Sequence, residues 1–592
     1  MSDPARPEDL PKPDTFETPD ADTRTGAEAG DPQVLTGPSA APSGTGAADP
    51  APAAKSNSPL APLRHPAFRL IWTATLVANL GTLIQNVGAG WMMATLTPSH
   101  DMVALVQAST TLPVMILAIS AGALADNFPR RKVMLMAQTF LLVVSALLAA
   151  VAFMGLLNPW TLLTFTFLLG CGSAMHLPSW QASMRDLVPR DDLAAAVTLN
   201  SMSFNLMRSI GPALGGLVVA WAGPATAFAL NAISYTAVIY ALARWNSPQE
   251  PRALPPERMG HAISAGLRYV SMSPNLMRMI GRGLVFGIGA VTLLALLPVI
   301  TRDMLGGTAT TYGVMLGAFG LGAIGGALGS PRIRARFRIE TIICGAFALS
   351  ALGTVIVALS RFEVLTVLGL MIAGSAWVSA LSLFNVSVQL ATPRWVVGRA
   401  LSIYQTATFG GMAVGSWLWG LLSEVIGIPG ALLAAAAVML FGAVLGRVWP
   451  MPDFSDVNLD PANRFSAPAL RLDLKPQSGP IMVMIDWDIP PGNTKSFLEA
   501  MTERRRVRIR DGAQQWALLR DLENPDIWIE TYHVPTWVEY IRHNIRRTQA
   551  DVESYDRLVK LHRGPERPHV HRMIERQTVP LMDDAMIPHK LP

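Results

Sequence analysis

Gly122-Ala123-Leu124-Ala125-Asp126-Asn127-Phe128-Pro129-Arg130-Arg131-Lys132 closes one long apolar run and opens the next. It reads as a turn between two membrane helices. Gly122 lets a neighbouring helix approach closely. Asp126 stands at the end of the first helix, where it can pair with an arginine or face a neighbouring helix N-terminus. The cationic cluster Arg130, Arg131 and Lys132 holds the turn on the cytoplasmic side.

Working outward, similar apolar runs recur from Phe68 to Val448. A bilayer-spanning helix needs about 20 mostly apolar residues. The runs predict helices near 68–93, 102–125, 132–155, 160–183, 194–221 and 224–243. A second set follows near 280–300, 311–330, 340–360, 363–390, 397–424 and 429–449. The chain is 51% hydrophobic and 15% charged, well below the charge of a soluble protein. Its net charge of +5 does not point to nucleic acid. The basic residues of the apolar region sit in short loops, where they orient a membrane protein.

Loop charge sets the topology. Besides the first turn, Arg185 and Arg190, the arginines from Arg332 to Arg338, and Arg394 with Arg399 all fall on one side. The opposite loops hold little Lys or Arg beyond Arg302 and Arg361. The positive-inside rule makes the Arg-rich loops cytoplasmic, and an even helix count puts both termini there. An inner-membrane, multi-pass location is expected. A constant offset of 204 residues relates the two helix sets. Gly122-Ala123-Leu124 matches Gly326-Ala327-Leu328, Pro189-Arg190 matches Pro393-Arg394, and Gly211 and Gly216 match Gly415 and Gly420. The halves are parallel repeats that can rock around a midplane site.

The expected organisation is a disordered tail (1–60), a six-helix bundle (61–245), a cytoplasmic linker (246–278), a second bundle (279–450), a Pro-rich linker (451–479), an accessory domain (480–576) and a tail (577–592). The accessory domain reads β-α-β-β-α-β, a ferredoxin-like order. Strands are expected at 481–487, 516–519, 527–532 and 570–575, and helices at 494–510 and 536–561. A four-stranded sheet offers Trp487, Trp516 and Trp528 to one face, and that face is expected to self-associate or dock. The run Arg504-Arg505-Arg506 with Arg508 and Arg510 reads as a solvated helix face or a surface for anionic lipid.

The turn at 122–132 resembles the signature loop of the major facilitator superfamily, with Asn127 and Pro129 replacing the usual Arg and Gly. Leu187-Val188-Pro189-Arg190-Asp191, Asn200-Ser201 and Arg208-x-x-Gly211-Pro212-Ala213-x-Gly215-Gly216 resemble its transmembrane secretion effector branch, which includes enterobactin exporters. The resemblance covers roughly residues 60–450 and implies twelve helices in the major facilitator fold. The terminal domain resembles the dimeric α+β barrel group that includes antibiotic-biosynthesis monooxygenases, by element order and by Arg520-Asp521 and Glu530-Thr531.

Gly122, Asp126, Arg130 and Arg131 form the candidate gating motif. Arg208 is the candidate intramembrane charge, because a buried arginine in a membrane helix faces a cavity or a partner. His176, Asn79, Gln85, Asn86, Gln181, Asn385 and Gln389 are further candidates for substrate or coupling-ion contact, or for interhelical hydrogen bonds. Gly211, Pro212, Gly215 and Gly216 suit a hinge or a tight helix contact. No cofactor is expected. Neither Cys171 and Cys344 nor His533, His543, His569 and His571 show firm metal-ligand spacing. The expectation is a proton-driven exporter of a small hydrophobic or siderophore-like molecule, in contact with membrane lipid. Its rivals are a transporter–enzyme fusion and a non-transporting membrane sensor.

Overall fold

The computed structural model describes residues 60–246, 259–451, 458–462, 464–465, 468, 470–472, 474–564 and 567–575. The expectations for the N-terminal tail before residue 60, for much of the two linkers, and for residues 576–592 lie outside the described residues. Ten described helices are long and apolar enough to cross a membrane. They belong to α1 (Pro66–Leu96), α2 (His100–Asn127), α3 (Arg130–Phe153), α4 (Pro159–Leu187), α5 (Arg190–Arg244), α7 (Pro274–Val299), α8 (Ala309–Arg336), α9 (Ile339–Leu359), α10 (Glu363–Leu390) and α11 (Val397–Leu445). A short helix, α6 (Met259–Ser271), lies inside the expected linker.

Two of the ten are helical hairpins. Gly223 breaks α5 at φ 80°, and Gly427 breaks α11 at φ 78°. Only glycine visits this backbone region readily. The contacts show that the chain reverses there. A Cβ on Gly211 would meet Leu83 and one on Gly215 would meet Ile84, so this arm runs parallel to α1. Beyond the break, Phe228 packs at Gly88 and Ser234 at Gly81, in antiparallel order. In α11, Gly415 lies against Ile288 and Val291, whereas Met439 meets Gly289 and Trp449, just past the helix end, meets Gly281. Ten helices with two reversals give twelve crossings, and the two breaks lie at the offset that relates the two halves.

Apolar side chains point both ways, as a bilayer requires. Phe68, Met93, Phe286 and Phe347 are fully buried, while Trp221 is 90% exposed and Val364 84% exposed. Small residues set the helix spacing in between. Neither cysteine is fully buried, and both are free thiols.

The C-terminal module contains β1 (Ile481–Asp488), α12 (Thr494–Asp511), β2 (Gln514–Arg520), β3 (Ile527–Val534), α13 (Trp537–Ile545), α14 (Gln549–Val559) and β4 (Val570–Ile574). The strands form one antiparallel sheet in the order β2-β3-β1-β4. The expected single helix at 536–561 is instead two. Thr536 caps the first, and Thr548 starts the second with a capping box to Asp551. A second N-cap satisfies the backbone N–H groups of a new helix start and permits the break.

The three tryptophans are not on an open face. Trp487 is fully buried, Trp528 is 9% exposed, and both pack on Phe497 of α12. Trp516 donates to Glu530 on the same side. The helices cover this face because Phe497, Met501, Arg504 and Arg508 all turn toward it. The solvated-face reading of the arginine run therefore fails for Arg504 and Arg508. It holds for Arg505 and Arg506, which are exposed.

Candidate transport cavity and its gates

A cavity of about 240 Å³ lies between the two halves. The first half supplies Asn86 and Gly90 from α1, Gln107 and Thr110 from α2, and Arg208 and Pro212 from α5. The second half supplies Pro298 of α7 and Tyr312 and Phe319 of α8. The Arg208 guanidinium lies 5.9 Å from the ring centroid of Phe319 and 5.9 Å from that of Trp377. Both rings belong to the opposite half. Arg208 makes no ion pair among the described residues, so its charge is met by ring faces.

Two of the eight substrate or coupling candidates, Arg208 and Asn86, line this cavity. Gln85 faces away from it. Its Oε1 accepts from Ser145 Oγ at 2.7 Å and from Asn231 Nδ2 at 2.8 Å, which ties α1 to α3 and α5. Asn79 is half-buried and outside the lining. So are His176, whose Nδ1 has no hydrogen-bond partner among the described residues, and Gln181, which is exposed. Gln389 Nε2 donates to Asn385 Oδ1, one helical turn away on α10, at 2.5 Å. No single site brings all eight together.

The cavity is closed at one end by contacts between the halves. Ser99 Oγ and the His100 N–H donate to Glu424 at 2.7 and 3.0 Å. His100 Nε2 lies 3.3 Å from Asp303, and Arg302 donates to Thr97 O at 3.1 Å. Deeper in, a Cβ on Gly216 would lie 2.8 Å from Gly313 Cα. All these residues lie toward the ends of the helices remote from the Arg-rich loops. His100, Asp303 and Glu424 escaped the sequence reading. Each looks like an ordinary loop-end polar residue until the two halves are juxtaposed.

At the Arg-rich end, Arg130 Nη1 bonds both oxygens of Asp186 on α4, at 3.0 and 2.9 Å. Arg131 donates to the carbonyls of Leu242 and Ala243, at the last turn of α5. The signature turn thus ties α3 to α4 and α5. Residues 122, 123 and 125–127 are helical, but their side chains, Asp126 among them, lie outside those described. Arg282 is fully buried and bonds both oxygens of Glu340 at 2.9 and 2.7 Å, joining α7 to α9.

The module meets the membrane part through α6 and the segment between α10 and α11. The Arg510 guanidinium lies 5.1 Å from the Tyr269 ring, and that of Arg546 lies 4.3 Å from the Trp395 ring. Tyr269 and Trp395 meet edge to face at 5.7 Å. Within the module, Arg504 and Arg508 both pair with Glu530, at 2.7 and 3.1 Å. Burial opposes ionisation of Glu530, but the two guanidinium groups outweigh it and hold the carboxyl down at about 2. Burial, then Arg508 and Arg547, keep the His543 imidazole neutral well below its usual range. Sequence spacing pointed to no metal-ligand set among the module's histidines, yet the fold brings Asp486, His569 and His571 within 4.8 Å of one another.

A family profile described as "Transmembrane secretion effector" matches residues 57–578 and so extends through the sheet module. The enterobactin exporter EntS of Salmonella typhi is 27% identical over 396 residues, 64% of this chain and 90% of that protein. The staphyloferrin A transporter of Staphylococcus aureus is 23% identical over 61% of this chain and 90% of its own length. The multidrug efflux pump Tap of Mycolicibacterium fortuitum is 25% identical over 64% of this chain and 95% of its own length. Among solved structures, the nucleoside transporter NupG aligns with a TM-score of 0.55 at 14% identity, over 65% of this chain and 99% of that one. The POT family transporter PepTSo aligns with a TM-score of 0.53 at 13% identity, over 66% of this chain and 99% of that one. Two reversing glycines, twelve crossings, a cavity shared by both halves and a profile match from residue 57 to 578 lead to one conclusion: the chain belongs to the transmembrane secretion effector family of major facilitator transporters.

Proposed function

We propose that the protein exports a small hydrophobic or siderophore-like molecule by alternating access, and that its present conformation opens toward the cytoplasm. The observation that carries this reading is the asymmetry of the contacts between the halves. The polar ones cluster beyond the cavity, at the end remote from the Arg-rich loops. The positive-inside rule makes that end extracytoplasmic and places both termini inside, at a bacterial inner membrane. Cargo then enters the cavity from the cytoplasm and leaves when the His100, Asp303 and Glu424 contacts part.

The lining suits such cargo. Val87, Val103, Leu294 and Leu316 provide apolar surface, while Asn86, Gln107 and Arg208 supply a few polar anchors, the usual composition of a small-molecule site. The relatives whose names specify enterobactin, staphyloferrin A and multiple drugs support this class of cargo. Protons are the proposed coupling ion. His176, with its unpartnered Nδ1, and His100, between Asp303 and Ser423, are the groups placed to carry them. A shared cavity favours transport over a membrane sensor without one.

Gating by the signature turn remains part of the proposal, with Asp126, Arg130 and Arg131 as its residues. Self-association of the module now falls to the opposite sheet face, which carries Met482, Met484 and Ile529, with no enzymatic step assigned to the module.

The test compares siderophore and drug sensitivity of deletion and overexpression strains, followed by uptake of the responding compound into inverted membrane vesicles. Acid-driven uptake that an uncoupler abolishes supports the proposal. Uptake only in right-side-out vesicles overturns export.

A further inference from the structure

The module contains a second cavity, of about 500 Å³, between the covered face of the sheet and helices α12 to α14. Its wall is unusually cationic. Arg504, Arg508, Arg547 and Arg572 line it, with Arg464 and Arg567 at its margin. The aromatic surface comes from Tyr532, Tyr540 and Tyr555.

The charges do not balance. Arg504 and Arg508 share a single carboxylate, Glu530. Asp511 and Asp551 are taken by Arg510, and Asp556 lies 3.9 Å from Arg464. Arg572 is held by the Tyr540 hydroxyl at 2.6 Å. Arg547 makes no side-chain hydrogen bond or ion pair among the described residues. Arg504 is 8% exposed, and its Nη2 has no hydrogen-bond partner among the described residues. Arg504 shares its anion and half-buried Arg547 has none of its own; such an excess of cation is costly, and a protein ordinarily pairs it or supplies it with a ligand. Burial and the neighbouring guanidinium groups push Arg547 down to about 10.

We propose that this cavity is a binding site for a small aromatic carboxylate. The Arg547 and Arg504 guanidinium groups would receive the carboxylate through charge-assisted, fork-shaped contacts. The tyrosine rings would flank the apolar body. The chemistry is binding rather than catalysis. His543, the imidazole of this region, accepts from Arg508 at Nε2 and faces the Asp511 carbonyl at Nδ1, so both ring nitrogens are committed. One helix of the cavity wall also meets the membrane part. Helix α12 carries Arg504 and Arg508 on one side, and at its end carries Arg510, which sits on Tyr269 of α6. This site is independent of the central cavity, and the proposal does not rest on the export reading.

Isothermal titration of the purified full-length protein with salicylate tests it, with acetate and inorganic phosphate as competitors. Salicylate should bind at one site per chain, and equimolar acetate or phosphate should not displace it. Arg547→Met should weaken binding about tenfold or more, the loss expected for one charge-assisted contact. The same variant should raise the melting temperature of the module, because it removes an uncompensated charge. Arg505→Met, on the exposed side of the same helix, should bind like the parent. Three results would each overturn the proposal: no saturable salicylate binding, unchanged binding by Arg547→Met, or phosphate competing as well as salicylate. A melting temperature that falls in Arg547→Met would assign the residue a structural role and also overturn it.

Discussion

Gly216 and Gly313, from opposite halves of the transporter, touch backbone to backbone: a Cβ on either would lie within 2.8 Å of the other's Cα. This contact lies between α5 and α8, beside the Pro212 carbonyl. Backbones this close leave room for no side chain, so the closed end depends on both glycines.

Gly216→Leu should therefore hold the halves apart and favour the outward-open state. Cysteine pairs across the closed end, such as Ser99→Cys with Glu424→Cys, should cross-link less in this background. Transport should fall about tenfold or more while membrane insertion stays normal. Undiminished cross-linking would show that the helices can separate here without disturbing the closed end.

Among the described residues, Arg208 answers to two rings and no carboxylate. Each cation–π contact is worth about 0.5–2 kcal/mol, and the planar guanidinium can meet both rings at once. Arg208→Lys should impair transport and weaken cargo binding, even though the charge is kept. Binding is checked directly with the responding compound on purified protein. An Arg208→Ala variant at full activity would remove this residue from the site.

The module should be separable from the transport path. The twelve crossings are complete before residue 451, and the sheet has its own core around Trp487, Phe497 and Tyr532. Residues 470–592 expressed alone should fold, and a chain stopped near residue 452 should keep measurable transport. An unfolded fragment together with an inserted but inactive truncation would make the module integral.

Docking should depend on Tyr269 and Trp395. Arg510 and Arg546 lie over these rings at 5.1 and 4.3 Å, contacts worth about 1 kcal/mol each. Tyr269→Ala with Trp395→Ala should expose the 451–479 segment to faster proteolysis without loss of the sheet's circular dichroism. An unchanged cleavage rate would rule out docking through these rings.

The module should lose stability in two stages on acidification. The His543 imidazole titrates well below its usual range when folded but near 6.5 when unfolded. The unfolded chain therefore takes up the proton first, and stability falls as pH drops below about 6.5. Glu530 is held down at about 2, against about 4.3 unfolded, so its contribution is complete above that value and is lost as pH falls toward 2. Urea melts of the 470–592 fragment from pH 8 to 3 measure both. His543→Gln should flatten the first stage. Glu530→Gln should destabilise at pH 7 by about 3–5 kcal/mol, because two buried guanidinium groups lose their anion.

The membrane fold was legible because a bilayer imposes long apolar runs and sorts arginine to one side, and both marks are local in sequence. The strand order of the module was legible for a similar reason, since alternation and turn residues are short-range signals. The division of helix 536–561 was missed because Thr548 reads as an ordinary helical position until its capping box with Asp551 is seen.

Other features depended on residues far apart in the chain. Arg208 and Asn86 line the cavity while Gln85, adjacent to Asn86, turns to Ser145 and Asn231. On one helix, successive residues point about 100° apart, and which of them faces the cavity depends on how neighbouring helices pack. The arginine run illustrates the same limit. Phe497, Met501, Arg504 and Arg508 continue one inward stripe, but charge suggested solvent for its second half. Glu530, on the second strand after that helix, makes burial of those two arginines tolerable. By itself the sequence determined twelve crossings and their repeat. Only the tertiary structure decided which polar groups meet, because a buried charge takes its place from a partner that no local pattern identifies.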